Sequence, residues 1–155
     1  MRMMRIGGAL LLCSVALPVL AQDKPADTMQ VLREKIRADK KLLVAANMDL
    51  TEAEAKRFWP VYESYQKNLE ALNALTVSLI QDFARHYRAM TDEVAKRLVG
   101  DYLAIEQDRI HLKQSYLPKL REVLPEKKVA RYFQIENKIE AAVRYDLAEK
   151  IPLVK

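Results

Sequence analysis

Glycine is almost missing from this chain, and that constrains its fold more than any other feature. Of 155 residues only three are glycine, and only Gly100 lies beyond the first twenty residues. Hairpins and tight strand connections draw on residues that tolerate positive φ. A chain this poor in them, yet rich in apolar residues three and four positions apart, reads as all-α.

The first 21 residues stand apart. Arg2 and Arg5 precede the apolar run Ile6–Ala16, and Val19-Leu20-Ala21 offers compact residues where a signal peptidase would cut. Met1–Ala21 therefore reads as a cleaved signal peptide, with the exported chain beginning at Gln22 and destined for a bacterial periplasm. The apolar run is short for a membrane span. Cys13 is the only cysteine and would leave with this segment, taking with it disulfides, thiolate ligands and a cysteine nucleophile. Leu12 before Cys13 does not suit a lipoprotein site. Loss of Arg2 and Arg5 lowers the net charge from +5 to +3, too weakly basic to argue for nucleic acid.

Gln22–Ala26 reads as a polar, disordered leader, and residues 27–155 as a single all-helical domain. The spacing predicts a first helix from Asp27 or Thr28 to about Ala46. Its apolar stripe is Met29, Leu32, Ile36 and Leu43, and its basic face is Arg33, Arg37, Lys40 and Lys41. That face reads as solvated charge or as an attractor for acidic protein segments or anionic lipid. Thr51-Glu52-Ala53-Glu54 is a capping box opening a second helix. Its seam runs through Phe58, Tyr62, Tyr65, Leu69, Leu72, Thr76, Leu79 and Phe83, with a bend expected at Pro60. Continued to Arg88, it would be roughly 55 Å long.

Thr91 caps a third helix whose stripe is Val94, Leu98, Tyr102, Ile105, Leu112 and Tyr116, bent at Pro118. Pro125 opens a fourth, running to about Lys150 with Val129, Tyr132, Ile135, Ile139, Val143 and Leu147 inward. Of Gln134, Glu136 and Asn137, at least one is expected to face a neighbouring helix and fix its register. Helices this long leave a thin core. A compact bundle would need the long helix to fold back at Pro60, and an elongated hairpin would complete its core from a second copy. The second arrangement, an antiparallel dimer of hairpins, is the expectation.

Little here suits catalysis. Ser64, Ser78 and Ser115 fall on predicted helices without a nucleophile elbow, and His86 and His111 are the only histidines. The chain does not read as an enzyme, and no cofactor is called for. His86 follows Asp82 by four residues and His111 follows Asp108 by three, pairs that read as solvated surface unless apposed helices complete a metal site. More informative is Phe58-Trp59-Pro60-Val61-Tyr62, which puts aromatics on two sides of one helix. Its ordinary role is core packing. A second role is a contact surface for proteins, formed by Phe58, Trp59 and Tyr62 with Arg57 and Arg131 at the rim.

These helix openings resemble the Leu-Thr-x-x-Gln motif of the Spy/CpxP family of periplasmic proteins. The first copy reads Leu50-Thr51-Glu52-Ala53-Glu54, with Glu for Gln. The second reads Leu124-Pro125-Glu126-Lys127-Lys128, and Met90-Thr91-Asp92-Glu93 is a looser third. The resemblance implies a cradle-shaped antiparallel homodimer that holds unfolded envelope proteins without ATP, or that restrains an envelope-stress sensor. It also implies a metal-responsive alternative, since some members bind metals through histidine-rich ends that this chain lacks. The expected function is thus an ATP-independent periplasmic holdase. Its alternatives are an accessory regulator of a sensor domain, a metal-responsive protein and a membrane-surface protein.

Overall fold

The computed structural model describes residues 39–154. The expected signal peptide, the leader, and Met29, Leu32, Arg33, Ile36 and Arg37 lie outside them. The described chain is four α-helices: α1 (Lys40–Met48), α2 (Glu52–His86), α3 (Asp92–Val123) and α4 (Glu126–Lys150), with a 3-10 turn at Tyr87–Ala89 after α2. There is no strand among the described residues.

Three of the four helices start where a side chain supplies an acceptor for free amides, and α4 follows Pro125 without a side-chain cap. Asp39 is extended and its carboxylate accepts from the Leu42 amide at 3.1 Å, so α1 begins at Lys40. Of the helix expected from Asp27 or Thr28 to about Ala46, the described part is Lys40–Met48, and the expected start lies outside the described residues. The capping box is formed: the Glu54 amide donates to the Thr51 hydroxyl at 3.3 Å, and the Thr51 amide to the Glu54 carboxylate at 2.7 Å. The Thr91 hydroxyl caps α3 by accepting from the Val94 amide at 3.3 Å, without a reciprocal bond. α2 runs through Pro60 and α3 through Pro118 as continuous helices.

Cross-helix pairs give the topology. Ser64 meets Tyr116, Thr76 meets Arg109 and Asp82 meets Arg97, so α2 and α3 form a long antiparallel hairpin. Lys113 with Glu140, and Glu106 with Arg144, lay α4 antiparallel along α3. Lys40 with Glu136, and Asp49 with Arg131, set α1 antiparallel to α4.

The core gathers where all four helices meet. Leu43, Val44 and Met48 of α1 close over Phe58, Tyr62 and Tyr65 of α2, Tyr116 and Leu120 of α3, and Val129, Tyr132, Ile135 and Ile139 of α4. Toward the Tyr87–Ala89 turn the hairpin thins to two helices, with Leu98 and Ile105 buried between them. Two expected inward residues are not inside. Tyr102 of α3 is 48 % exposed. Val143 is 44 % exposed and Ala142 takes the buried place, because a period of 3.6 turns the smaller residue toward the core.

Candidate functional site

The residues expected to form a contact surface divide between core and surface. Phe58 and Tyr62 are buried, Phe58 completely. Phe58 stands edge-on to Tyr132 at 5.3 Å between ring centroids, and Tyr65 edge-on to Tyr116 at 5.4 Å. Such geometry adds about 0.5–1.5 kcal/mol per pair beyond area burial. Phe58 and Tyr62 therefore hold the four-helix end together and have no face open to a partner. Trp59 is half-buried at the margin, edge-on to both of them at 5.0 and 5.3 Å, with Lys41 Nζ 5.2 Å from its ring centroid. Arg57 is exposed. Arg131 is half-buried and donates to the Asp49 carboxylate at 2.6 Å. Trp59, Arg57 and Arg131 are the members that a partner can reach.

Beside this cluster lies a buried polar knot. The Glu136 side chain is 5 % exposed and accepts from Lys40 Nζ at 2.8 Å and from Gln66 Nε2 at 2.9 Å. Gln66 also reaches the Tyr132 hydroxyl at 3.4 Å. Burial, with Glu136 nearby, raises the Tyr132 hydroxyl far above the ordinary phenol range, so it stays protonated. Glu136 is thus the register-setting residue expected in mid-α4, while Gln134 and Asn137 are exposed. Lys40 and Lys41 are no open basic face: Lys40 is bound to Glu136 and Gln66, and Lys41 to Glu63 at 2.6 Å.

At the foot of α2 a second ion pair joins the loops. Lys128 donates to Glu54 and to the Asp49 carbonyl. The Lys128 contact, with the Thr51 amide, lowers the Glu54 carboxyl from its ordinary 4.5 to about 2.

Sequence reasoning missed an open groove of about 450 Å³ along one side of the two-helix part of the hairpin. Leu75 and Leu79 of α2 and Ala104 and Ile105 of α3 make its apolar floor, and Asp82, Arg85, Asp101 and Asp108 its charged edge. The signal available was Leu75, Ser78 and Asp82, a second stripe three and four apart beside the α2 seam. Asp82 is held by Arg97 at 2.7 Å and Arg85 at 2.8 Å, and those two bonds lower its carboxyl below the ordinary value. His86 Nδ1 sits 2.9 Å from the Asp82 carbonyl, and His111 is exposed on α3. Among the described residues no three His, Cys, Asp or Glu side chains converge as ion ligands. No described helix is long and apolar enough to cross a membrane. No protein-family model, no curated protein and no solved structure matches this chain.

Proposed function

We propose that this chain is an ATP-independent holdase of the bacterial periplasm, of the kind found in the Spy/CpxP proteins that its helix openings resemble, and that it works as a pair of chains. The observation that carries this reading is the open groove, in which Leu75, Leu79 and Ile105 lie level with charges of both signs. A client segment would be taken up by adaptable apolar contact, while the surrounding charges speed encounter and keep the loaded chain soluble. Trp59 with Arg57 forms a second, smaller contact point at the four-helix end.

The test is light scattering from a chemically unfolded client diluted into buffer without nucleotide. An equimolar amount of the chain should suppress aggregation. Leu75→Asp, at a half-exposed position, should weaken suppression several-fold without changing helix content by circular dichroism. Undiminished aggregation at equimolar chain overturns the reading.

A further inference from the structure

The charges of α1 are set against its own helix. A helix is positive at its amino end and negative at its carboxyl end. α2, α3 and α4 each respect this, with an acid in the first turn and a base in the last, as Glu126 and Lys150 do in α4. In α1 the first turn holds Lys40 and Lys41, and Asp49 closes the helix, so only the capping Asp39 stands in the favoured place. At nine residues α1 is also shorter than the about 12–15 at which a helix begins to persist alone in water.

The surface beneath α1 supplies what its sequence withholds. Where α1 begins, Lys40 Nζ lies 2.8 Å from both Glu136 of α4 and Gln66 of α2, and Lys41 Nζ lies 2.6 Å from Glu63 of α2. Where it ends, Arg131 of α4 donates to the Asp49 carboxylate at 2.6 Å, and Lys128 to the Asp49 carbonyl at 2.8 Å. Acids thus face the positive end of the docked helix and bases its negative end. Between them Leu43, Val44 and Met48 join the core that holds Phe58, Tyr62 and Tyr132. Buried Asn47 donates to the Leu43 carbonyl at 2.7 Å, a bond that belongs to α1 and leaves with it.

The joint to α2 is short and strained. Only Asp49, Leu50 and Thr51 separate the two helices. With φ 49° and ψ 46°, Asp49 has the one positive φ outside glycine among the described residues. Side chains tolerate that conformation poorly, aspartate better than most. Arg131 and Lys128 hold it there, so their release lets one residue swing α1 away as a body.

We infer that α1 is a releasable ligand of its own chain, hinged at Asp49, and that the surface of α2 and α4 beneath it is an acceptor groove for an amphipathic helix that is cationic at its start and anionic at its end. Its resting occupant is α1, and what displaces α1 is a helix of the same charge order. Coupled folding and docking explains why the charges of α1 suit the groove and not the helix that carries them. Client capture in the open groove farther along the hairpin neither requires this release nor excludes it.

The test uses the full chain and a fluorescein-labelled peptide with the sequence of residues 39–50. Lys41→Glu with Asp49→Asn removes two exposed ties and leaves Lys40 on the buried Glu136. This variant should bind the peptide about tenfold more tightly than the unmodified chain does, because its own α1 competes less. A twin peptide carrying Lys40→Glu and Lys41→Glu should bind about tenfold more weakly than the matching one, since it brings acids to the acidic end. Trp59, the only tryptophan and 5.2 Å from Lys41 Nζ, should shift its emission to the red in the variant and return when the peptide binds. Equal peptide affinity for the two chains overturns the inference, and so does equal affinity of the two peptides for the variant. Hydrogen exchange on the unmodified chain decides the matter even if the variant fails to fold. Amides of Leu43–Met48 should exchange about tenfold faster than those of α4 near Ile135. The gap should widen between about 50 and 500 mM salt, as the exposed ties are screened. A single rate shared by α1 and α4 at both salt levels overturns the release.

Discussion

Glu54 shows how much one side chain can do when its surroundings choose its charge. It accepts from Thr51 to start α2 and from Lys128 to tie α4 to the same corner, and both bonds need the carboxylate. Its carboxyl is depressed from 4.5 to about 2, so its contribution is complete above about pH 4.5 and is lost as the pH falls toward 2. Glu54→Gln should therefore lower the melting temperature at neutral pH, and the gap from the unmodified chain should close across that window. A gap that is constant from pH 7 to pH 2 contradicts this account. Glu136 is the complementary case, a buried acid whose partners come from two other helices. Lys40→Met should destabilise the fold by about 1–3 kcal/mol in urea unfolding, because the carboxylate would keep only Gln66 for company. Both carboxylates are plain in the sequence, and Glu54 announces its role by spacing. Glu136 does not, since which helix faces it depends on contacts distant in the chain.

At the scale of the helix, the punctuation was legible. Thr51 and Thr91 open helices where capping chemistry places them, Pro125 stands one residue before α4 without a side-chain cap, and the prolines at 60 and 118 lie inside helices. Thr51→Ala should cost about 1 kcal/mol, the value of one cap. Phe58→Ala should cost about 3–5 kcal/mol, since the ring is fully enclosed and stands edge-on to Tyr132 of α4. Chemical denaturation of the two variants measures both, and similar losses would mean that Phe58 is not the core residue described here. The same enclosure explains why Phe58 and Tyr62 drop out of the contact surface. Periodicity places an aromatic on a face, and it does not say what lies opposite.

The whole molecule is uneven along its length. Four helices share the core at one end, and beyond it α2 and α3 continue as a pair. Backbone hydrogen exchange should follow this division. Amides of α2 near Phe58 and Tyr65 and of α4 near Tyr132 should exchange only through global unfolding, while those from about residue 75 to 103 should open at lower free energy. Uniform protection along α2 would contradict it. The groove opens toward the thin part, because two helices cannot bury all their apolar positions against each other.

Fold class, helix starts and most of the inward stripe were determined by the sequence itself, because capping and amphipathic period are local properties of a chain with almost no glycine. Two things only the tertiary structure decided: that Phe58 and Tyr62 are core while Trp59 is margin, and that the far hairpin keeps an open side. Each depends on which helices stand opposite one another. That is set by the sum of many side-chain contacts between distant segments, here locked by Lys40, Gln66 and Glu136, and no single window of sequence contains it.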